Sequence, residues 1–277
     1  MSMSKVSIVI RTCGRPNVLK HALESIREQS YKNIEVILVE DGINISESSI
    51  SENYQDLNIQ YYHTKEKVGR SKAGNIGLSK CNGNYINFLD DDDMFYPNHI
   101  NQLLTAIKEN NTKAAYSIAE ESQIVKSNKD TNIEKRKIIR YQQPFNKTLL
   151  FYMNYIPIQS ILFSKELYEE AGGFDESLDA LEDWDLWVRY SILTDFFYLP
   201  EITSKYYVPY KSKIKKKRDA SLYLANSQIN EKFKSYNANF NIYDLNMDLE
   251  YIINTFGKRG LFHYAKKVRD YLIYGDI

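Results

Sequence analysis

The stretch Tyr85-Ile86-Asn87-Phe88-Leu89-Asp90-Asp91-Asp92-Asp93-Met94-Phe95-Tyr96-Pro97 decides how the rest of the chain is read. Its first five residues favour β structure and read as a strand. Pro97, followed by Ile100, Leu103, Leu104 and Ile107 at helical spacing, reads as a helix opening at its first turn. The four carboxylates therefore fall where a strand ends and a helix begins, and open α/β sheets bind ligands at the carboxyl ends of their strands. Like charges at contact distance repel and raise one another's pKa, so the run gains nothing from its own packing. It suits an arriving cation. Few ligands, all of them oxygen, favour Mg²⁺ or Mn²⁺ carried on a phosphate substrate. A merely solvated acidic loop is the alternative, but such a loop does not need four identical charges at a strand end.

Upstream, strand and helix patterns alternate. Val6 to Arg11, Ile34 to Val39 and Ile59 to Tyr62 read as strands, the first two apolar enough for a sheet buried on both faces. Helices are expected from Pro16, with Leu19, Ala22, Leu23 and Ile26 on one face, from Ser46 to Tyr54, and from Arg70 to Lys80. Repeated βα units of this kind predict a mostly parallel central sheet flanked by helices. The strand ends would line one rim with Thr12 and Arg15, Asp41, and Asp90 with its neighbours.

Downstream the pattern is less regular. Ala114 to Ala119 and Ser160 to Ser164 read as strands, and Ser127 to Arg140 as a charged mobile loop or exposed hairpin. Helices are expected from Lys165 to Ala171, before Gly172-Gly173, and from Asp183 to Thr194. Lys211, Lys213, Lys215, Lys216, Lys217 and Arg218 form a basic run with no internal acid, and the chain after Ala220 is helical in pattern. A boundary is expected near residue 205: residues 1–205 form the main domain, and 206–277 a basic loop and C-terminal helical appendage.

The 277 residues suffice for one large core, or for one core with a small appendage. Thirty-six basic residues balance thirty-six acidic ones, so no global field draws the chain to nucleic acid. Twenty-three tyrosines suit stacking against sugars or bases. Cys13 and Cys81 are too few for a disulfide framework and fit a reducing compartment. No apolar run approaches a membrane span, and the N-terminal residues carry no signal-peptide core. A cytoplasmic protein is expected, with a peripheral contact at the inner face of the cell membrane left open through Lys211–Arg218.

Five segments, in order, resemble the family-2 inverting glycosyltransferases, which have the GT-A fold. They are Val6-Ser7-Ile8-Val9-Ile10-Arg11-Thr12-Cys13-Gly14-Arg15-Pro16; Tyr31 through Gly42, ending Val39-Glu40-Asp41-Gly42; Gly69-Arg70-Ser71-Lys72-Ala73-Gly74-Asn75-Ile76-Gly77-Leu78; Tyr85 through Pro97; and Gly172-Gly173-Phe174-Asp175-Glu176 followed by Glu182-Asp183-Trp184-Asp185-Leu186-Trp187. The resemblance covers about residues 5 to 200. It implies a nucleotide-binding half at about 1–95 and an acceptor half at about 96–205.

The resemblance also implies roles. Asp41 would accept the imide N–H of a uracil base, or serve only as a turn residue before Gly42. Thr12, Arg15 and Arg70 would belong to the donor site, with Asp91. Asp90 and Asp92 match the outer members of the Asp-x-Asp motif: Asp92 would bind the metal bridging the diphosphate, and Asp90 the ribose or metal-bound water. Asp91 or Asp93 could instead cap the next helix. In the Glu182-Asp183 pair, Asp183 would be the general base, and it is also suited to the first turn of the helix that follows. Trp184 and Trp187 are expected in the core, with one of them at a sugar-binding wall. The first turn departs from the family's common Pro-Thr-Tyr-Asn, and Gly74 stands where an arginine is usual, so Arg70 or Lys72 would take over a phosphate or base contact. Cys13 is expected to be small and buried. His263 would be either a helix-surface residue or a group closing over the metal. The donor implied is a UDP-sugar, and the acceptor a saccharide, lipid-linked or free, in bacterial surface polysaccharide synthesis. A nucleotidyltransferase is the competing enzyme class, although Arg11-Thr12-Cys13-Gly14-Arg15 makes a poor phosphate loop. A non-catalytic sugar-binding scaffold is the third reading.

Overall fold

The computed structural model describes residues 3–126, 132–178, 180–210, 225–226, 228–236, 246–248 and 250–255. Its first half follows the alternation of the sequence: β1 (Val6–Thr12), α1 (Pro16–Arg27), β2 (Ile34–Glu40), α2 (Glu47–Asn53), β3 (Ile59–His63), α3 (Arg70–Lys80) and β4 (Tyr85–Asp90). β3, β2, β1 and β4 lie side by side and parallel, with Val6 opposite Ile34 and Tyr85. β1, β2 and β4 bury both faces, whereas β3, at the edge, is only half-buried. Ile8, Ile10, Val36, Leu38 and Leu89 meet α1 on one side, while Val9, Ile37, Val39 and Phe88 face the other. On that second side α3 comes unusually close. A Cβ on Gly77 would stand 2.4 Å from Val9 Cγ1, and one on Gly74 2.5 Å from Phe174 Cε2. Glycine at 77 lets the helix seat on the sheet, and glycine at 74 makes room for Phe174 against the helix.

After the acidic run come β5 (Met94–Phe95) and α4 (His99–Glu109), then β6 (Ala114–Lys126), β7 (Asn132–Ile139), α5 (Lys147–Tyr152), β8 (Ile161–Ser164), α6 (Lys165–Ala171), α7 (Glu182–Leu193) and β9 (Phe197–Pro209). The sheet continues from β4 through β8, β6 and β9 to β5, with β7 paired to β6. Parallel order stops at β8, which runs antiparallel to both β4 and β6; β6 and β9 are parallel, and β5 and β7 antiparallel to their partners. The fold is thus mixed α/β: the first half is all parallel, and the second mixes one parallel pair, β6 with β9, with antiparallel ones.

Several details differ from the sequence reading. α4 starts at His99, because Pro97 and Tyr96 are held in other pairings: Tyr96 N donates to Thr203 O at 2.8 Å, and Ser30 N to Pro97 O at 2.7 Å. The charged segment before Arg140 is a hairpin, β6 with β7. β9 carries the sheet past residue 205, so Tyr206 to Pro209 belong to a strand. Both tryptophans are core residues. Trp184 packs edge-on against Phe233 at 5.2 Å and Trp187 against Phe163 at 5.8 Å, contacts each worth about 0.5–1.5 kcal/mol beyond area burial. Neither can form a sugar-binding wall. Phe233, with Ile229 and Ile252, brings part of the chain's last quarter into this core. Lys211–Arg218 and His263 lie outside the described residues. Among the described residues no helix is long and apolar enough to cross a membrane.

Candidate functional site

β1 and β4 are neighbours in register, so Arg11 stands beside Asp90 at the carboxyl end of the sheet. Arg11 is a guanidinium in an otherwise apolar strand, 7% exposed. Its Nε and Nη2 donate to the two oxygens of Asp90 at 2.9 and 3.1 Å, and its Nη1 to Glu182 Oε1 at 2.8 Å. The rings of Phe174 and Phe88 lie 5.4 and 6.0 Å from the guanidinium carbon. Burial works against the charge, but Asp90 and Glu182 outweigh it and raise the arginine's pKa.

The next carboxylates have separate environments. Asp91 is fully buried, accepting from Thr12 Oγ1 at 2.7 Å and from Arg15 Nε at 3.0 Å; Arg15 Nη2 also bonds it. Burial nonetheless pushes Asp91 up to about 6. Asp92 keeps 45% of its side chain exposed and touches only the Arg15 Nη1, at 3.3 Å. Asp93 is buried beneath β9, and burial drives its pKa well up despite a hydrogen bond from the Tyr207 backbone. Neither Asp91 nor Asp93 caps α4, whose preceding residue is Asn98; the helix begins too far along the chain for either to reach its first amides.

Asp41 accepts from Val68 N at 2.7 Å and Gly69 N at 3.0 Å, one on each oxygen. It pins the turn that starts α3, where Gly69 adopts φ 94°. Asn75, in the same helix, clasps the Phe174 backbone through both amide atoms, at 3.0 and 2.8 Å. The two glycine-marked motifs are thus one packed joint. Cys13, expected to be buried, is exposed, because the turn after β1 points it away from the sheet.

α7 supplies the opposing wall. Leu181 enters the helix in the left-handed region, φ 61°, which turns Glu182 inward to Arg11 and sets Asp183 beside Asn154. Asp183 Oδ2 accepts from Asn154 Nδ2 at 3.0 Å, and Oδ1 from Trp184 N at 2.9 Å, as a first-turn acid does. Burial first, and then the charge of Glu182, raise Asp183 to about 7. A carboxylate tuned there can hold or release a proton near neutrality.

One cleft of about 620 Å³ joins these parts. Arg11, Arg70, Asp90, Asp92, Glu182 and Asp183 all line it, whereas Thr12, Arg15, Asp41 and Asp91 do not. Arg70 is half exposed, with its Nη1 3.9 Å from Glu182. The cleft continues past Asp183 to Asn154 and Gln159, and then to Glu121, Arg140, Tyr141 and Tyr206. Sequence reading missed all of these. Arg11 had left a signal, as the one charge inside β1.

The acidic residues fit a hard divalent cation of the substrate-borne kind. Among the described residues no three His, Cys, Asp or Glu side chains are grouped to cage an ion by themselves. Mg²⁺ and Mn²⁺ instead use one or two carboxylates plus substrate phosphates. Asp92, open to the cleft, can give such a ligand, whereas both oxygens of Asp90 are already engaged by Arg11.

The model of Glycosyl transferase family 2 matches residues 7–170. An uncharacterized glycosyltransferase of Rickettsia typhi is 30% identical over 72% of this chain and 63% of its own length, so the chain spans less than two thirds of that relative. YwdF of Bacillus subtilis, also an uncharacterized glycosyltransferase, is 30% identical over 67% of each chain. Among solved structures, S. aureus TarS in complex with UDP-GlcNAc superposes with a TM-score of 0.63 at 14% identity, covering 96% of this chain and 89% of that one. The mannosyltransferase PcManGT of Pyrobaculum calidifontis, with GDP-Man and Mn²⁺, gives 0.59 at 16% identity, over 99% and 86%. These likenesses establish a shared GT-A architecture, and the model match, spanning more than half the sequence, places this chain in glycosyl transferase family 2.

Proposed function

We propose that the chain transfers a sugar, with inversion, from a nucleotide-diphosphate donor to a hydroxyl of a saccharide acceptor. The observation that carries this is the single cleft with Asp92 and the Arg11–Asp90 pair on one wall and Asp183 on the other. In this reading Asp92 would hold a Mn²⁺ or Mg²⁺ that travels with the donor, and Asp90, fixed on Arg11, would stand beside it toward the ribose or metal-bound water. Such an ion supplies Lewis-acid stabilisation of the departing diphosphate. Arg11 holds Asp90 in place through both its oxygens, and Arg70, half exposed, lies where a cation can reach a phosphate oxygen.

Asp183 acts as the general base. It takes the proton of the acceptor hydroxyl as that oxygen bonds to the anomeric carbon; the bond from that carbon to the diphosphate breaks, and the nucleoside diphosphate leaves with the electron pair. Asn154 and the Trp184 amide orient the carboxylate, and Glu182 is held on Arg11. Thr12, Arg15 and Asp91 brace the acidic run from behind, and Asp41 holds the turn beside which the base would lie. A UDP-sugar donor is supported by the complexes of TarS with UDP-GlcNAc, though PcManGT carries GDP-Man. A role in bacterial surface polysaccharide synthesis, on a free or lipid-linked acceptor, rests on family analogy.

The test is release of nucleoside diphosphate from a panel of UDP- and GDP-sugars with Mn²⁺, repeated with excess chelator. Metal-dependent release is the expected result. Pyrophosphate as product would mean nucleotidyl transfer instead, and no turnover with any donor would mean a scaffold.

A further inference from the structure

The cleft does not stop at Asp183 but runs on to Glu121, Arg140, Tyr141 and Tyr206. Volumes of roughly 300–1,000 Å³ accommodate ligands of drug size, and this cleft of about 620 Å³ excludes Thr12, Arg15 and Asp41, the residues on the nucleotide side. Beyond Asp183 it enters an arm between β9 and residues 140–141. There Arg140 donates to Glu121 through Nε at 2.6 Å and Nη2 at 2.7 Å. Glu121, 3% exposed, also accepts from Gln123 Nε2 at 2.9 Å and Tyr206 Oη at 3.0 Å. The carboxylate is saturated, and its partner cation keeps 43% of its side chain exposed.

Three properties of this arm define what fits it. Its groups are rigid, because Arg140 and Tyr206 are both fixed on one buried carboxylate. Its charge is cancelled internally. Its remaining surface is aromatic and hydroxylic, from Tyr141 and Tyr206, the composition that takes an apolar ring face and polar edges together. Over the whole cleft six carboxylates stand against three guanidinium groups. In this arm the cation among the described residues that a phosphate-bearing acceptor would meet is Arg140, already paired with Glu121.

Resting on the transferase reading above, the geometry points to a second acceptor subsite in this arm, which takes the next residue of an uncharged saccharide beyond the ring that carries the reacting hydroxyl. Tyr141 and Tyr206 would contact the ring, and Arg140 would donate to its hydroxyls.

The experiment titrates the full chain, with UDP and Mn²⁺ present, with four neutral disaccharides (lactose, cellobiose, maltose and N-acetyllactosamine), their monosaccharides, and glucose phosphate, read by saturation-transfer NMR. At least one disaccharide should bind more tightly than its constituent monosaccharides and than the sugar phosphate. Tyr141→Ala and Tyr206→Ala should each weaken it about fivefold to tenfold while UDP binding holds. Glu121→Gln, which leaves the Arg140 charge uncompensated, should move preference toward the sugar phosphate. Should Tyr206→Ala prove unfolded, Tyr141→Ala and Glu121→Gln decide. The inference is overturned if no disaccharide binds, if the sugar phosphate binds wild type better, or if these variants change nothing. Failure here with metal-dependent donor hydrolysis intact removes only the subsite; loss of that hydrolysis in wild type removes the transferase reading itself.

Discussion

The two walls of the cleft are built in opposite ways. On the donor wall, Arg11 and Asp90 come from adjacent parallel strands, and their pairing follows from the sheet register alone. On the acceptor wall, Glu121, Arg140, Asn154, Asp183 and Tyr206 come from five separate stretches that meet only after the second half has packed. On the proposed reading the donor wall would meet a diphosphate common to many donors, and the acceptor wall would have to fit one glycan. A site that has to vary is better placed on hairpins and loops held over an unvarying sheet.

The comparison can be broken by experiment, most sharply at the reacting groups. Asp183→Asn should cut transfer by about 10²–10⁴-fold with UDP affinity retained. If UDP affinity falls while the rate at saturation survives, Asp183 belongs to the donor wall. Asp92→Asn should cost about 10²–10³-fold in turnover and abolish the response to Mn²⁺; full activity in chelator would remove the metal from that wall.

A smaller change is expected in stability. Arg11→Met strands two carboxylates that share one cation, which should cost about 3–5 kcal/mol by denaturant titration. Arg11→Met with Glu182→Gln should recover part of that, and no recovery would mean that Arg11 acts through packing alone. The acceptor-wall carboxylates should also titrate in opposite senses. Asp183 is raised from 3.8 to about 7, so its contribution to stability is full below pH 3.8 and lost as pH rises through 7; Asp183→Asn should therefore be the more stable protein at alkaline pH. If the same group is the proposed base, activity should fall as pH drops below 7. Glu121 is lowered from 4.5 to about 2, burial being outweighed by its bonds from Arg140, Gln123 and Tyr206. Its stabilisation is full above pH 4.5 and lost as pH falls through 2, and Glu121→Gln should flatten that acid limb. The smallest effect belongs to neither wall. Changing Lys215, Lys216 and Lys217 to Ser should reduce activity severalfold at low salt and hardly at all at high salt; wild-type behaviour in both would make the run a linker.

What the sequence disclosed follows the same division. β1, β2 and α3 could be read within a residue or so because strand periodicity, turn glycines and helix faces are local properties. Asp90, Asp92 and Asp183 stood out as charge where charge is costly. The sequence could not say that Asp41 holds a turn, that Asn75 clasps Phe174, or that both oxygens of Asp90 are taken, since each depends on a partner far along the chain. The hairpin arm was invisible for the same reason: Glu121 and Arg140 look like any surface pair until the sheet buries one of them. The expectation that one of Trp184 and Trp187 would line a sugar-binding wall failed because α7 turns both inward; Trp184 donates its indole N–H to Leu150 O at 2.5 Å.

The short strand β5 has a consequence for synthesis. Met94 and Phe95, directly after the four aspartates, pair with Lys205 and Ser204 of β9, and Asp93 is bonded from Tyr207. A nascent chain leaving the ribosome N-terminus first can assemble β1 to β4 early, because those strands are made together. The acidic loop must then wait, unclamped, until translation reaches the far strand. Fragments truncated before residue 197 would carry every aspartate of the motif yet lack the strand that fastens it, so the loop takes its final form only after nearly three quarters of the chain has been made.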